Sequence, residues 1–143
     1  MPFTQTATKM LADRMPKVID PKTHAIIDYA VAGSFLAMAG FYWKRNKRAA
    51  IAALMCGSAV AATSMLTDYP GGIRKAISFQ THGKIDAGLA GLTATAPSFF
   101  AFNDDDEAAF FRTMAIGESL VTGLTDFDRP TGKLLQMPAN RTA

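Results

Sequence analysis

Ala49–Leu66 reads AAIAALMCGSAVAATSML, a run without a single charge whose most polar members are Ser and Thr. A helix on the surface of a soluble protein keeps a polar face, and this segment has none. Its Ala, Gly and Ser are the small residues that let transmembrane helices approach closely. Three segments of comparable length lie around it, Ala25–Trp43, Ile85–Phe102 and Ala108–Leu124, separated by polar punctuation. All four sit near the low end of the roughly 17–25 residues that cross a bilayer core. The expected fold is all-α, an integral membrane four-helix bundle built from two tandem helical hairpins. The alternative is a soluble bundle with an Ala-rich core.

The flanks fit that scheme. Tyr42 and Trp43 close the first segment and Tyr69 follows the second, as aromatic-belt residues would. The fourth segment carries Arg112, close enough to its start to snorkel, and Glu118 near its middle, where a carboxylate must face protein or water. Residues 1–22 interleave Lys9, Arg14, Lys17 and Lys22 with Met10, Leu11, Met15 and Val18, broken by Pro16 and Pro21. They read as a short interfacial helix ahead of the membrane domain at 23–128, without the apolar core and cleavage site of a secretory signal. Residues 129–143 read as a polar tail.

The 143 residues are 49% hydrophobic, enough for one domain and too apolar for a disordered chain, although mean hydropathy is only +0.10. Cys56 is the one cysteine, so no internal disulfide forms. Lying in an apolar run without a matched His, it reads as an inert small hydrophobe. The net charge of +3 is bunched at segment ends, which argues against a nucleic-acid face. Lys9, Arg14, Lys17, Lys22, Arg74, Lys75, Arg129, Lys133 and Arg141 fall on the side of the termini, against Lys44, Arg45, Lys47 and Arg48 opposite. That balance favours cytoplasmic termini in a bacterial inner membrane.

Sliding the chain against itself until Thr23 falls on Thr81 gives a gapless match. Thr23-His24-x-x-Ile27-Asp28 then lies on Thr81-His82-x-x-Ile85-Asp86, and Leu66-Thr67-Asp68 on Leu124-Thr125-Asp126. Twelve identities join the copies at 23–75 and 81–133, where about four are expected from so biased a composition. Two hairpins in the same orientation follow, related by a pseudo-twofold along the membrane normal. At 1.5 Å per residue, the starts of spans one and three and the ends of spans two and four reach about the same depth. Each Asp of H-x-x-x-D lies on the face of its His, one turn deeper.

His24, Asp28, Asp68, His82, Asp86 and Asp126 are therefore expected to share one end of the bundle as candidate metal ligands or proton-exchanging groups. Imidazole and carboxylate at i, i+4 on facing helices suit a divalent ion such as Zn, Mn or Fe. Haem held by His24 and His82 ranks lower, because each His has an Asp one turn below that crowds a porphyrin. A proton- or cation-linked site continuing inward to Glu118 is the third chemistry. Structural roles compete with each: Thr23 and Thr81 as helix N-caps, Asp28 and Asp86 on the positive helix ends, and Thr67–Gly72 as a helix stop. Asp104–Glu107 reads as a solvated loop. Neither a phosphate-binding Gly-rich loop nor G-x-S-x-G occurs.

The pattern P-K-T-H-x-x-x-D-Y (21–29), T-D-Y-P-x-G (67–72), T-H-G-x-x-D (81–86) and T-D-F (125–127) resembles small bacterial four-helix membrane proteins of the SPW-repeat type. The resemblance implies a duplicated hairpin in the inner membrane and implies no reaction. The Ser-Pro-Trp tripeptide itself is missing from both copies: Pro97 is followed by Ser98 and Phe99, and Ala39 stands at the corresponding place. Three function classes remain open: a membrane binding or ion-linked module, a small membrane metalloenzyme on the same residues, and a structural subunit. A transport pathway through helices this short would need a homo-oligomer.

Overall fold

The computed structural model describes residues 13–131, and among them the chain is all-helical. Helix α1 spans Pro21–Tyr42, α2 Lys47–Leu66, α3 Phe79–Phe99 and α4 Ala108–Leu124. The interfacial segment expected over 1–22 lies outside the described residues as far as residue 12. Its described end carries no helix over residues 16–20. Of the polar tail, residues 132–143, with Lys133 and Arg141, lie outside as well.

Helices α1 and α3 begin earlier than the apolar pattern alone indicates. Asp20 and Ser78 are the N-caps, and their side chains accept from the backbone N–H of Thr23 and Thr81. Thr23 and Thr81 thus occupy the first turn and do not cap it. Pro21 at the first helical position needs no N–H partner and has φ already set for a helix, which moves the α1 cap back to Asp20. The Thr23 N–H also holds the Asp20 carboxyl below its ordinary range. The fourth helix matches the expected segment, while the third stops at Phe99, short of Phe102. Pro97 sits in its last turn, and the chain then turns through Ala101 at φ 56.

Each hairpin packs on itself, α1 on α2 and α3 on α4, and α2 packs on α3. Phe35 closes the ring by stacking edge-on against Phe110 and tilted against Phe111 of α4. Small residues permit the close approach. Ala49, Ala50, Ala52 and Ala53 are wholly buried, and a Cβ on Gly57 would lie 2.9 Å from Cβ of Phe35. This apolar cluster includes Tyr42, Phe102 and Phe111. A second, smaller one, of Ala25, Tyr69 and Phe79 with Phe127 against it, lies beside the two histidines.

One backbone feature recurs in the two halves. Ile77, just before α3, bridges to Thr67 at the end of α2, and Ile19, just before α1, bridges to Thr125 at the end of α4. Asp68 N–H donates to Ile77 at 2.8 Å, as Asp126 N–H does to Ile19 at 3.0 Å. Every partner in one pair is offset from its counterpart in the other by the interval that separates His24 from His82. Each hairpin therefore ends on the strap that leads into the other, and this reciprocal clasp sets the depth at which α1 and α3 start.

Candidate metal centre

The clasp brings His24 and His82, from the first turns of α1 and α3, face to face across the bundle. Both are buried, and their Nε2 atoms are 3.2 Å apart. Asp28 and Asp86 complete the group. His24 Nε2 lies 3.3 Å from Asp28 Oδ1 and 3.0 Å from Asp86 Oδ2. His82 Nε2 lies 3.0 Å from both Asp28 Oδ2 and Asp86 Oδ2. All four donor atoms fall within 4.8 Å of one another.

The other ring nitrogens decide what these atoms can do. Nδ1 of His24 is 2.7 Å from Thr125 Oγ1, and Nδ1 of His82 is 2.7 Å from Thr67 Oγ1. Each threonine hydroxyl gives its single hydrogen to a carbonyl one turn back, Val121 for Thr125 and Thr63 for Thr67, both at 2.6 Å. A committed hydroxyl oxygen can only accept, so Nδ1 of each imidazole must be the donor. In the neutral rings both Nε2 lone pairs then point at each other and at two carboxylates. Four electron pairs converging on one buried point need a metal ion or protons between them, the protons carried on the rings or on a carboxyl group.

The spacing is compatible with an ion. A tetrahedral Zn2+ with bonds of about 2.0 Å sets its ligands about 3.3 Å apart; the two imidazole nitrogens lie 3.0–3.3 Å from each other and from carboxylate oxygens, and one donor atom from each of the four residues falls within 4.8 Å of the rest. Haem does not fit, because nitrogens 3.2 Å apart leave no room for a porphyrin between them. The ligand set is also supported from behind. Asp28 Oδ2 accepts from Tyr69 Oη at 2.9 Å and lies 3.3 Å from Ser64 Oγ. Burial and the Asp28 charge hold the Tyr69 phenol well above its ordinary value, so it remains a donor. Phe79 and Phe127 pack edge-on against His24.

Two of the six expected residues are placed elsewhere. Asp68 pairs with Lys75 at 3.2 Å, and Asp126 Oδ1 accepts from the Asp128 N–H at 3.2 Å. Thr67 and Thr125 are extended, with ψ of 140° and 135°, so consecutive side chains point to opposite sides. In each repeated T-D pair the threonine faces the histidine and the aspartate turns away. The recurrence of T-D was the available signal, and it marked the hydroxyl. Tyr69 is likewise not a belt residue: it is fully buried over the centre. Asn46 donates to Asp105 and Glu107, which ties the acidic run at the opposite end to the first hairpin turn. No known family, curated protein or solved structure matches the chain.

Proposed function

We propose that this chain binds one divalent first-row metal ion, Zn2+ foremost, between His24, Asp28, His82 and Asp86, and that the ion ties its two hairpins together within a membrane. The fixed tautomer carries the metal reading: both Nε2 lone pairs are turned inward by Thr67 and Thr125, toward two carboxylates whose charge balances a divalent ion. Four protein donors close a tetrahedral ion, as structural zinc sites do, whereas catalytic zinc keeps an open position. The closed set favours a binding module over a metalloenzyme.

The test follows from the second shell. Purified protein is expected to carry one metal ion per chain by elemental analysis. Thr67→Val and Thr125→Val, which keep the shape and remove the acceptor, are each expected to weaken affinity about 10- to 100-fold in competition with a chelator. The two losses should be similar, since the positions are equivalent. Affinity unchanged in both variants would remove the tautomer argument.

The membrane reading rests on the helices' outer faces. Among the described residues, α1 and α2 are long and apolar enough to cross a bilayer, with 33% and 44% of their most apolar stretches buried within the chain. Ile26, Phe41, Met55, Phe99, Ile116 and Leu120 are all more than half exposed, apolar surface that a lipid environment would cover. Trp43 lies at the first hairpin turn with the Lys47 ammonium 3.8 Å above its ring, an arrangement suited to an interface. In this proposal the hairpin turns face away from the cytoplasm of a bacterial cell, both termini face it, and the likeness to SPW-repeat proteins concerns the same T-H-x-x-x-D elements. A homo-oligomer would be needed for any conducting path. Membranes washed in alkaline carbonate are expected to retain the chain; its release into the supernatant would instead support the soluble bundle.

A further inference from the structure

A small cavity adjoins the centre, lined by His24, Asp28, Asp86, Glu118 and Thr122 and otherwise by aliphatic side chains, Val60 of α2 among them. It leaves about 20 Å3 for the centre of a water-sized occupant, room for one. Glu118 is 9% exposed, and neither of its carboxylate oxygens has a hydrogen-bond partner. Buried polar groups are nearly always paired, and an isolated buried carboxylate is among the costliest exceptions.

Packing does not demand a carboxylate at this position. Its counterpart in the first repeat is Val60, which lines the same cavity. Charge balance at the centre does not satisfy Glu118 either. Two aspartates are matched by one divalent ion, or by two protonated imidazoles, and either state leaves the centre neutral. Among the described residues no buried side chain is a Lys or Arg. The ionisable groups around the cavity are His24, Asp28 and Asp86; α2 adds Val60 and the nearby Cys56 thiol and α3 the Thr93 hydroxyl, and neither thiol nor hydroxyl carries a compensating charge. Glu118 is thus one negative charge short of a partner in a space of water size.

We propose that this cavity is a second cation site, inward of the metal centre, taking one Na+ coordinated by Glu118. Hard oxygen donors, with the Thr122 hydroxyl alongside, suit such a cation. The proposal rests on the metal reading only for the charge account of Asp28 and Asp86.

The experiment uses purified full-length protein with Glu118→Gln, and Glu118→Val as a second variant that copies the residue of the other repeat. Thermal unfolding is followed as NaCl replaces choline chloride at constant ionic strength, and the carbonyl stretch of a protonated carboxylic acid is sought by infrared spectroscopy in Na+-free buffer. A saturable Na+ stabilisation present in the parent and absent from both variants identifies Na+. No Na+ effect, with a carboxylic-acid band that both variants lose, shows a neutral Glu118 beside an empty cavity and overturns the second site. Neither signal in the parent overturns the second site. Bound divalent metal is measured in parallel. Its retention in the variants keeps the two sites distinct, whereas its loss makes Glu118 part of the first centre and overturns the inference. A parent without divalent metal that still gives the Na+ stabilisation retracts the metal reading alone.

Discussion

His82→Ala is expected to abolish stoichiometric metal binding. The variant removes one of four donors and leaves Asp28, Asp86 and His24 around an incomplete shell. Its loss of affinity should exceed the roughly 10- to 100-fold expected of a second-shell change. The clearest readout is the difference between loaded and stripped protein. At free metal a thousand times the dissociation constant, a ligand that binds only the native state adds about 4 kcal/mol. The parent should gain that much on loading, and the variant almost nothing at the same metal concentration. Comparing each protein with itself removes any general cost of replacing a buried imidazole. His24→Ala is expected to behave alike, because the two rings have equivalent Thr partners and the same two carboxylates. Parent-like stabilisation by metal in His82→Ala would exclude this centre.

Gly72→Ala is expected to be the most damaging methyl addition among the described glycines. A Cβ at Gly72 would run into the carbonyl oxygen of Thr67, with the Thr67 carbonyl carbon 2.9 Å away. Those are backbone atoms, so no flexible side chain can give way. Relief requires moving Thr67, which bridges to Ile77 and holds His82 through Oγ1. The destabilisation should reach about 3 kcal/mol or more, the upper range for overpacking. Metal affinity should fall with it, because the displaced residue orients a ligand. Gly88→Ala on α3 is the control. Its Cβ would meet nothing within 4 Å, and replacing a helical glycine should stabilise by up to about 1 kcal/mol. Denaturant unfolding of both variants measures the contrast. A Gly72→Ala protein as stable as Gly88→Ala would mean that the turn does not govern Thr67.

Much of the centre was legible before any fold was known. Spacing of i, i+4 on a helix is a local property, so H-x-x-x-D implied an imidazole and a carboxylate on one face. Recurrence of the motif in the second repeat implied another such face at the same depth. Helix number and the approximate ends of α2 and α4 were equally local, set by uncharged runs and by the residues that stop them. The starts of α1 and α3 were less so, because Asp20 and Ser78 cap from outside the apolar pattern.

What lay beyond reading were the relations that cross from one hairpin to the other. Position in sequence does not say whether Thr67 or Asp68 faces the bundle, since both sit in the same short strap and differ only by the alternation of an extended chain. That choice followed from pairing with Ile77, and from Ile19 with Thr125 in the other half. The inward turn of Tyr69, which resembles a belt residue in its apolar context, followed from the room above Asp28. The solitary burial of Glu118 became apparent only when its neighbours were known to carry no compensating charge. Helical periodicity and duplication are written along one chain, and they specified which residues could meet. Contacts between elements depend on packing, and packing brought together four of the six expected residues and set two threonine hydroxyls against the histidines.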